Sequence, residues 1–189
     1  MMKSFYAFIK KVFKDRSVRF VRWNMIHIYK GDGKGNTTAS IGLAVRAAAS
    51  GKRVLFFQFL KSDTGNERKA LSGIPGITVI SVGEEIPFLF NATDDEKQYY
   101  KKIYKEKLAM ISSVAELYDM FVFDEGVCAV DCGVAEAGDL LLFSGFGELV
   151  LTGRGDVLEL EQKADYITCM TKIKHPYDSG TDARCGIEY

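Results

Sequence analysis

The chain has 189 residues, 47% hydrophobic and 26% charged, which suits one globular domain with a sizeable core. Its 25 lysines and arginines balance 25 aspartates and glutamates, so no global charge draws it to nucleic acid or anionic lipid. No run reaches the roughly 18–20 apolar residues that span a bilayer, and lysines break up Phe5, Tyr6, Phe8 and Ile9 where a secretory core would sit. The expected address is the cytoplasm.

Residues 1–23 hold seven lysines and arginines against one acid, Asp15, with Phe5, Phe8, Ile9, Val12 and Phe13 between them. They read as a basic amphipathic helix followed by an extended stretch, most simply a solvated face; an anionic surface or a covered binding site are the other readings. They form an extension ahead of a single domain expected over 24–189, and a chain begun at Met25 would keep the whole core. From there strands and helices alternate. Residues 25–29 form a short apolar strand, 31–35 a glycine turn and 37–50 a helix. Residues 53–59 (RVLFFQF) are a near-continuous apolar run, as in a strand buried on both faces. Residues 77–82 make another strand. Residues 94–117 make the longest helix, capped by Thr93 or Asp94. Residues 120–123, 148–151 and 166–170 complete the set of strands. Such alternation predicts an α/β fold with a mostly parallel central sheet and helices on both faces. Cys128, Cys132, Cys169 and Cys185, with only two histidines, lack the spacing of a zinc site. They are expected as reduced thiols, mostly in or near the core.

The first chemical signal is Gly31-Asp32-Gly33-Lys34-Gly35-Asn36-Thr37-Thr38, between a strand and a helix. Glycines let backbone N–H groups approach phosphate oxygens, and the helix start adds partial positive charge. A P-loop also has a lysine on the phosphates, then a hydroxyl on Mg²⁺. Thr37 and Thr38 supply hydroxyls, but Asn36 stands where the lysine would be, and the leading glycine position falls on Lys30. The plain alternative is a glycine turn capping a helix. The second signal is residues 119–125, DMFVFDE, an apolar strand ending in two acids. Asp124 there would hold Mg²⁺ through water, and Glu125 would ligate it or orient a reactant. Together the two segments favour a nucleotide site.

The third signal is LVLTGRG over 149–155, with a tail reading KHPYDSG over 174–180 and GIEY over 186–189. Taken with GDGKG-TT and VFDE, this arrangement resembles the ATP:corrinoid adenosyltransferases of bacterial cobalamin synthesis and salvage, from about Met25 to the last residue. The resemblance implies a RecA-like P-loop fold and a homodimer, with a flavoprotein as a source of electrons; the balanced charge and the lack of a long apolar run speak against nucleic acid and a membrane span. It also implies transfer of the 5′-deoxyadenosyl group of ATP to the cobalt of a reduced corrinoid, with release of triphosphate. Cobalt(I) would attack C5′ of the ribose, so catalysis would rest on alignment and on neutralising the leaving charge.

Carried over residue by residue, residues 31–36 (Gly31, Asp32, Gly33, Lys34, Gly35 and Asn36) would wrap the triphosphate with Thr37 and Thr38. Thr37 with Asp124 or Glu125 would hold Mg²⁺, and Arg154 would support phosphate. Lys34, Thr37, Glu125 and Arg154 are the catalytic candidates. Phe88 and Phe90 match the family's corrin-facing aromatics, with ordinary core packing the other reading. His175 is expected to be structural. The departure at Asn36 removes a charge that Lys34 or Lys30 would have to replace, and residues 181, 182 and 184 also depart from the pattern. A weak enzyme, or a relative that binds ATP or corrinoid without joining them, is therefore a second reading; an unrelated P-loop kinase or ATPase is a third.

Overall fold

The computed structural model describes residues 24–61, 65–82 and 92–187. The expected basic helix, and Phe88 and Phe90, lie outside them. Six strands form one sheet: β1 (Ile26–Lys30), β2 (Val54–Gln58), β3 (Ile77–Ile80), β4 (Met120–Asp124), β5 (Glu148–Gly153) and β6 (Tyr166–Cys169). Every pairing is parallel, and the order is β3-β2-β4-β5-β1-β6. Setting one strand, β5, between the glycine-loop strand and the acid-bearing strand is the RecA-like P-loop arrangement expected from the sequence.

Alternate residues of the central strands feed two cores. On one face Val54, Phe56, Met120, Val122 and Val150 meet α1 (Asn36–Ala49) and α2 (Asn66–Ser72). Small residues Ser40, Ala44 and Ala47 line the buried side of α1 and let it lie close to the sheet. On the other face Leu55, Phe57, Phe121, Phe123, Leu149 and Leu151 pack on α3 (Asp94–Ser112) through Tyr100, Tyr104, Leu108 and Ile111. Short helices α4 (Gly126–Asp131) and α5 (Ala137–Leu141) extend that layer, and α6 (Leu158–Glu161) leads into β6. Helices thus cover both faces, as parallel strands need.

The long helix starts where Thr93 was expected to cap it. Thr93 accepts from the Glu96 N–H at 3.3 Å, and the Glu96 carboxylate takes the Thr93 N–H at 2.8 Å, a reciprocal capping box. It stops at Ser112 rather than running on to 117, with a separate 3₁₀ turn at Ala115–Leu117. β6 forms at the expected place, paired with β1 at the edge of the sheet, and all four of its residues are exposed.

The cysteines correct another expectation. All four are free, but Cys169 and Cys185 are exposed, Cys132 is half-buried, and only Cys128 is buried. Burial pushes the Cys128 thiol up to about 12, helped by the nearby Glu125 charge. At pH 8 a thiol maleimide should therefore modify Cys169 and Cys185 within minutes and leave Cys128 intact until the chain is unfolded, as mass spectrometry of tryptic peptides would read. Phe121 is fully buried against Tyr118, Phe123 and Phe143. Phe121→Ala should cost about 3–5 kcal/mol in urea unfolding.

Candidate functional site

The carboxyl ends of β1, β2, β4 and β5 converge on Asp124, which is fully buried. Its Oδ1 accepts from Thr37 Oγ1 at 2.8 Å and from Thr152 Oγ1 at 2.7 Å. Its Oδ2 accepts from Lys61 Nζ at 2.7 Å and from Gln58 Nε2 at 3.3 Å. A carboxylate offers about four lone-pair directions, so this one is saturated. Lys61 Nζ also donates to Thr37 Oγ1 at 3.1 Å and lies 3.7 Å from Glu67. Burial works to lower the Lys61 pKa, but Asp124, with Glu125 and Glu67 behind it, outweighs that and raises it above the ordinary lysine value.

The glycine loop is shaped first by packing. β6 continues past Cys169 so that Met170 N–H donates to Lys30 O at 2.8 Å and Met170 O accepts from Gly33 N–H at 2.7 Å. A Cβ on Gly31 would stand 2.4 Å from Met170 O, and one on Gly33 2.6 Å. Gly31 and Gly35 also have φ of 121° and 126°, which side chains rarely adopt. Two of the glycines are therefore required by the strand beside them, and the Gly33 N–H is already engaged. Asp32 likewise faces the tail. Its carboxylate accepts the Lys172 N–H at 3.0 Å, and that bond holds its pKa below the usual value. The Asn36 amide donates to Gly31 O at 3.0 Å and braces the loop from inside, while its Oδ1 is buried without a hydrogen-bond partner.

The expected residues come together. A cavity of about 290 Å³ is lined by residues 32–38 together with Lys61, Glu125, Arg154, His175 and Ile187. Asp124 forms its floor through Thr37 and Lys61. Glu125 sits in the left-handed region at φ 57°, with its N–H held by Thr152 Oγ1 at 2.9 Å. Arg154 is exposed between Gly153 (φ 146°) and Gly155 (φ 99°), and its N–H donates to Cys128 Sγ at 2.9 Å. His175 caps a 3₁₀ turn, its Nδ1 accepting the Tyr177 N–H at 3.2 Å, and it also lines the cavity.

One expectation fails outright. Lys30 does not reach the loop, because its ammonium is held by Asp156 at 2.5 Å and Glu161 at 2.6 Å beyond the turn. Lys34 donates to Ile187 O in the tail at 2.8 Å. The residues that sequence reasoning missed are Lys61, Gln58 and Thr152. Gln58 carried a signal, as the polar residue inside an otherwise apolar buried strand, and it pairs in register with Asp124. Lys61 follows at the same carboxyl edge, where α/β sheets bind ligands.

A family model described as ATP:corrinoid adenosyltransferase BtuR/CobO/CobP matches residues 22–189. The chain is 27% identical over 172 residues to the corrinoid adenosyltransferase CobA of Salmonella typhimurium (strain LT2), covering 87% of this chain and 85% of that protein. It is 26% identical over 174 residues to the corrinoid adenosyltransferase of Escherichia coli (strain K12), covering 87% and 85%. Against that of Pseudomonas aeruginosa the values are 26% over 168 residues, with 86% and 82% covered. Among solved structures, a KaiC-like protein of Pyrococcus horikoshii OT3 is similar at a TM-score of 0.46 and 11% identity, covering 82% of this chain and 76% of that one.

The space around two glycines, one in the loop and one in the helix after it, predicts opposite signs on substitution. Gly31→Ala combines a positive φ with a backbone collision and should destabilise by about 2 kcal/mol or more. Gly42 lies within α1 with nothing within 4 Å of its would-be Cβ, so Gly42→Ala should stabilise by roughly 0.5–1 kcal/mol. Urea midpoints of the two variants check both.

Proposed function

The chain belongs to the ATP:corrinoid adenosyltransferase family, and from that premise we propose how its residues serve the transfer of the 5′-deoxyadenosyl group from ATP to the cobalt of a reduced corrinoid. In this reaction the cobalt electron pair forms a bond to C5′ as the C5′–O5′ bond breaks, and triphosphate departs with the electrons of that bond. Catalysis then depends on holding C5′ in line with cobalt and on stabilising the departing charge.

The observation that carries the residue assignment is the 2.8 Å bond from Thr37 to Asp124. It joins the helix after the glycine loop to the acid-bearing strand across an intervening β5. The hydroxyl proton points to Asp124, so the oxygen keeps lone pairs for a cation, and here it accepts the Lys61 ammonium. A hydroxyl beside carboxylates, already holding one cation, is an oxygen donor set that suits Mg²⁺. Thr37 and Glu125 would hold that ion, and Asp124 would reach it through water once one of its present donors, such as Lys61, gives way. The ion supplies charge neutralisation on the triphosphate.

Lys34, Gly35, Thr37 and Thr38 line the cavity at the start of α1, where the helix dipole and the N–H groups of a helix's first turn favour phosphate. Arg154 stands at the rim, on a turn whose two glycines leave it free to reach the leaving group. Phe88 and Phe90 are assigned to the corrin face on the sequence match alone. Family membership also leads us to infer a homodimer in the cytoplasm, supplied with electrons by a flavoprotein. No helix among the described residues is long and apolar enough to cross a membrane.

Asn36 favours a second reading, a chain that binds both ligands but joins them slowly or not at all, because its amide serves the loop and brings no charge. An anaerobic assay with MgATP and chemically reduced cob(I)alamin separates the two. Adenosylcobalamin and triphosphate should appear in step, and Thr37→Val should lower the rate by about 10²–10³-fold. Binding of ATP with neither product formed would establish the second reading, and release of ADP or phosphate without triphosphate would point to a kinase or ATPase.

A further inference from the structure

The position just before Thr37 holds Asn36 rather than a lysine, and a lysine from elsewhere in the chain brings its ammonium to the Thr37 hydroxyl. Lys61 lies two residues after Phe59, beyond the end of β2, so it is remote in sequence from the loop. Its Nζ nonetheless contacts Thr37 Oγ1, in the first turn of α1, at 3.1 Å, and Lys61 lines the same cavity as residues 32–38. The chain is forced into this placement. Leu60 has φ 53°, a costly conformation for a branched side chain. It is held by the bond from Leu60 N–H to the buried Tyr104 hydroxyl at 2.9 Å and by Phe59 N–H to Asp124 O at 2.9 Å. Leu60 and Glu125 are the two non-glycine residues with positive φ among the described residues. They follow neighbouring strands paired at Gln58 and Asp124, so both strained positions flank one site, which is where strain tends to be kept for function.

Lys30 is held away from the loop by Asp156 and Glu161, and Lys34, exposed in the loop, donates to the tail carbonyl of Ile187, whereas Lys61 is the lysine in contact with Thr37. We propose that Lys61, delivered by the strained turn at Leu60, is the triphosphate-binding cation of this chain and takes the part left open at Asn36. Without nucleotide it rests on Asp124 and Thr37; with nucleotide the same ammonium turns to the phosphate oxygens beside Thr37. The assignment rests on the adenosyltransferase reading for the identity of the anion, and the loss of one charge-assisted bond sets its scale.

Calorimetric titration of inorganic tripolyphosphate with Mg²⁺ into the full-length chain tests it without turnover. Lys61→Met and Lys61→Gln should each weaken binding by roughly 10- to 100-fold. Lys61→Arg should stay within a few-fold, and Asn36→Lys placed in the Lys61→Met chain should recover most of the loss. Lys61→Gln keeps polar contacts for Asp124 and serves if Lys61→Met melts early. Tripolyphosphate binding by Lys61→Gln equal to that of the unaltered chain would overturn the assignment, as would no binding by the unaltered chain. If binding depends on Lys61 yet no adenosylcobalamin forms, the cation assignment stands and the transfer reading falls.

Discussion

The structure turns on one buried charge. Asp124 is closed off from solvent, and an ionised carboxylate in that position is tolerated only if its lone pairs are answered. Here the donors come from four places in the chain: α1 through Thr37, the end of β2 through Gln58, the turn after it through Lys61, and β5 through Thr152. They reach it from the helix after β1, from the end of β2 with the turn that follows, and from β5. Removing any one leaves part of a buried carboxylate unanswered, so the polar cluster fixes the relative positions of the strand ends as firmly as the aromatic core fixes their middles.

That constraint explains the strand order in chemical terms. With β5 between β1 and β4, Thr152 can donate to Asp124 and accept the Glu125 N–H, and so hold a non-glycine residue in the left-handed region. The same strand continues into Gly153 and Arg154, so the threonine that steadies the acids and the arginine at the rim share one rigid support. On the other side, α3 contributes Tyr104, whose buried hydroxyl holds the strained turn before Lys61. Burial raises the pKa of that phenol, so it stays neutral and keeps its oxygen as an acceptor for the backbone. The hydrophobic layers and the site are therefore one construction: the ring that packs against Phe59 also sets the cation.

Much of this was legible in the sequence, and what was not has physical causes. Short apolar strands, a helix start capped at Thr93 or Asp94 and the glycine turn are local patterns, and they appear at or within a few residues of the expected bounds. The pairing of Thr37 with Asp124 was readable because two motifs at strand ends meet in any parallel sheet with crossovers. Lys61 was not, since a lysine after a strand resembles any solvated loop residue, and its aim depends on a backbone angle at Leu60 set by a tyrosine 44 positions away. The glycines misled in a subtler way. They were read as making room for phosphate, whereas Gly31 and Gly33 make room first for Met170. Lys30 was read as a reserve cation by its proximity in sequence, but α6 and its approach put Asp156 and Glu161 within reach and claimed it.

The charge balance around Asn36 links these features. A lysine at that position would face the loop and carry a positive charge wherever the nucleotide sat. Lys61 instead begins in contact with Asp124, near Glu125 and Glu67, so one ammonium faces three carboxylates before any ligand arrives. On the proposed reading a bare triphosphate would meet a floor that repels it, and the ion brought with the nucleotide must first offset those acids before Lys61 can turn from Asp124 to phosphate. On that reading, a loop braced by a neutral amide would make nucleotide capture depend on the metal more strongly than one with a lysine at position 36. It also leaves Thr37 as the shared contact, since its oxygen touches Asp124 and Lys61 alike and is the atom through which the exchange of cations would pass.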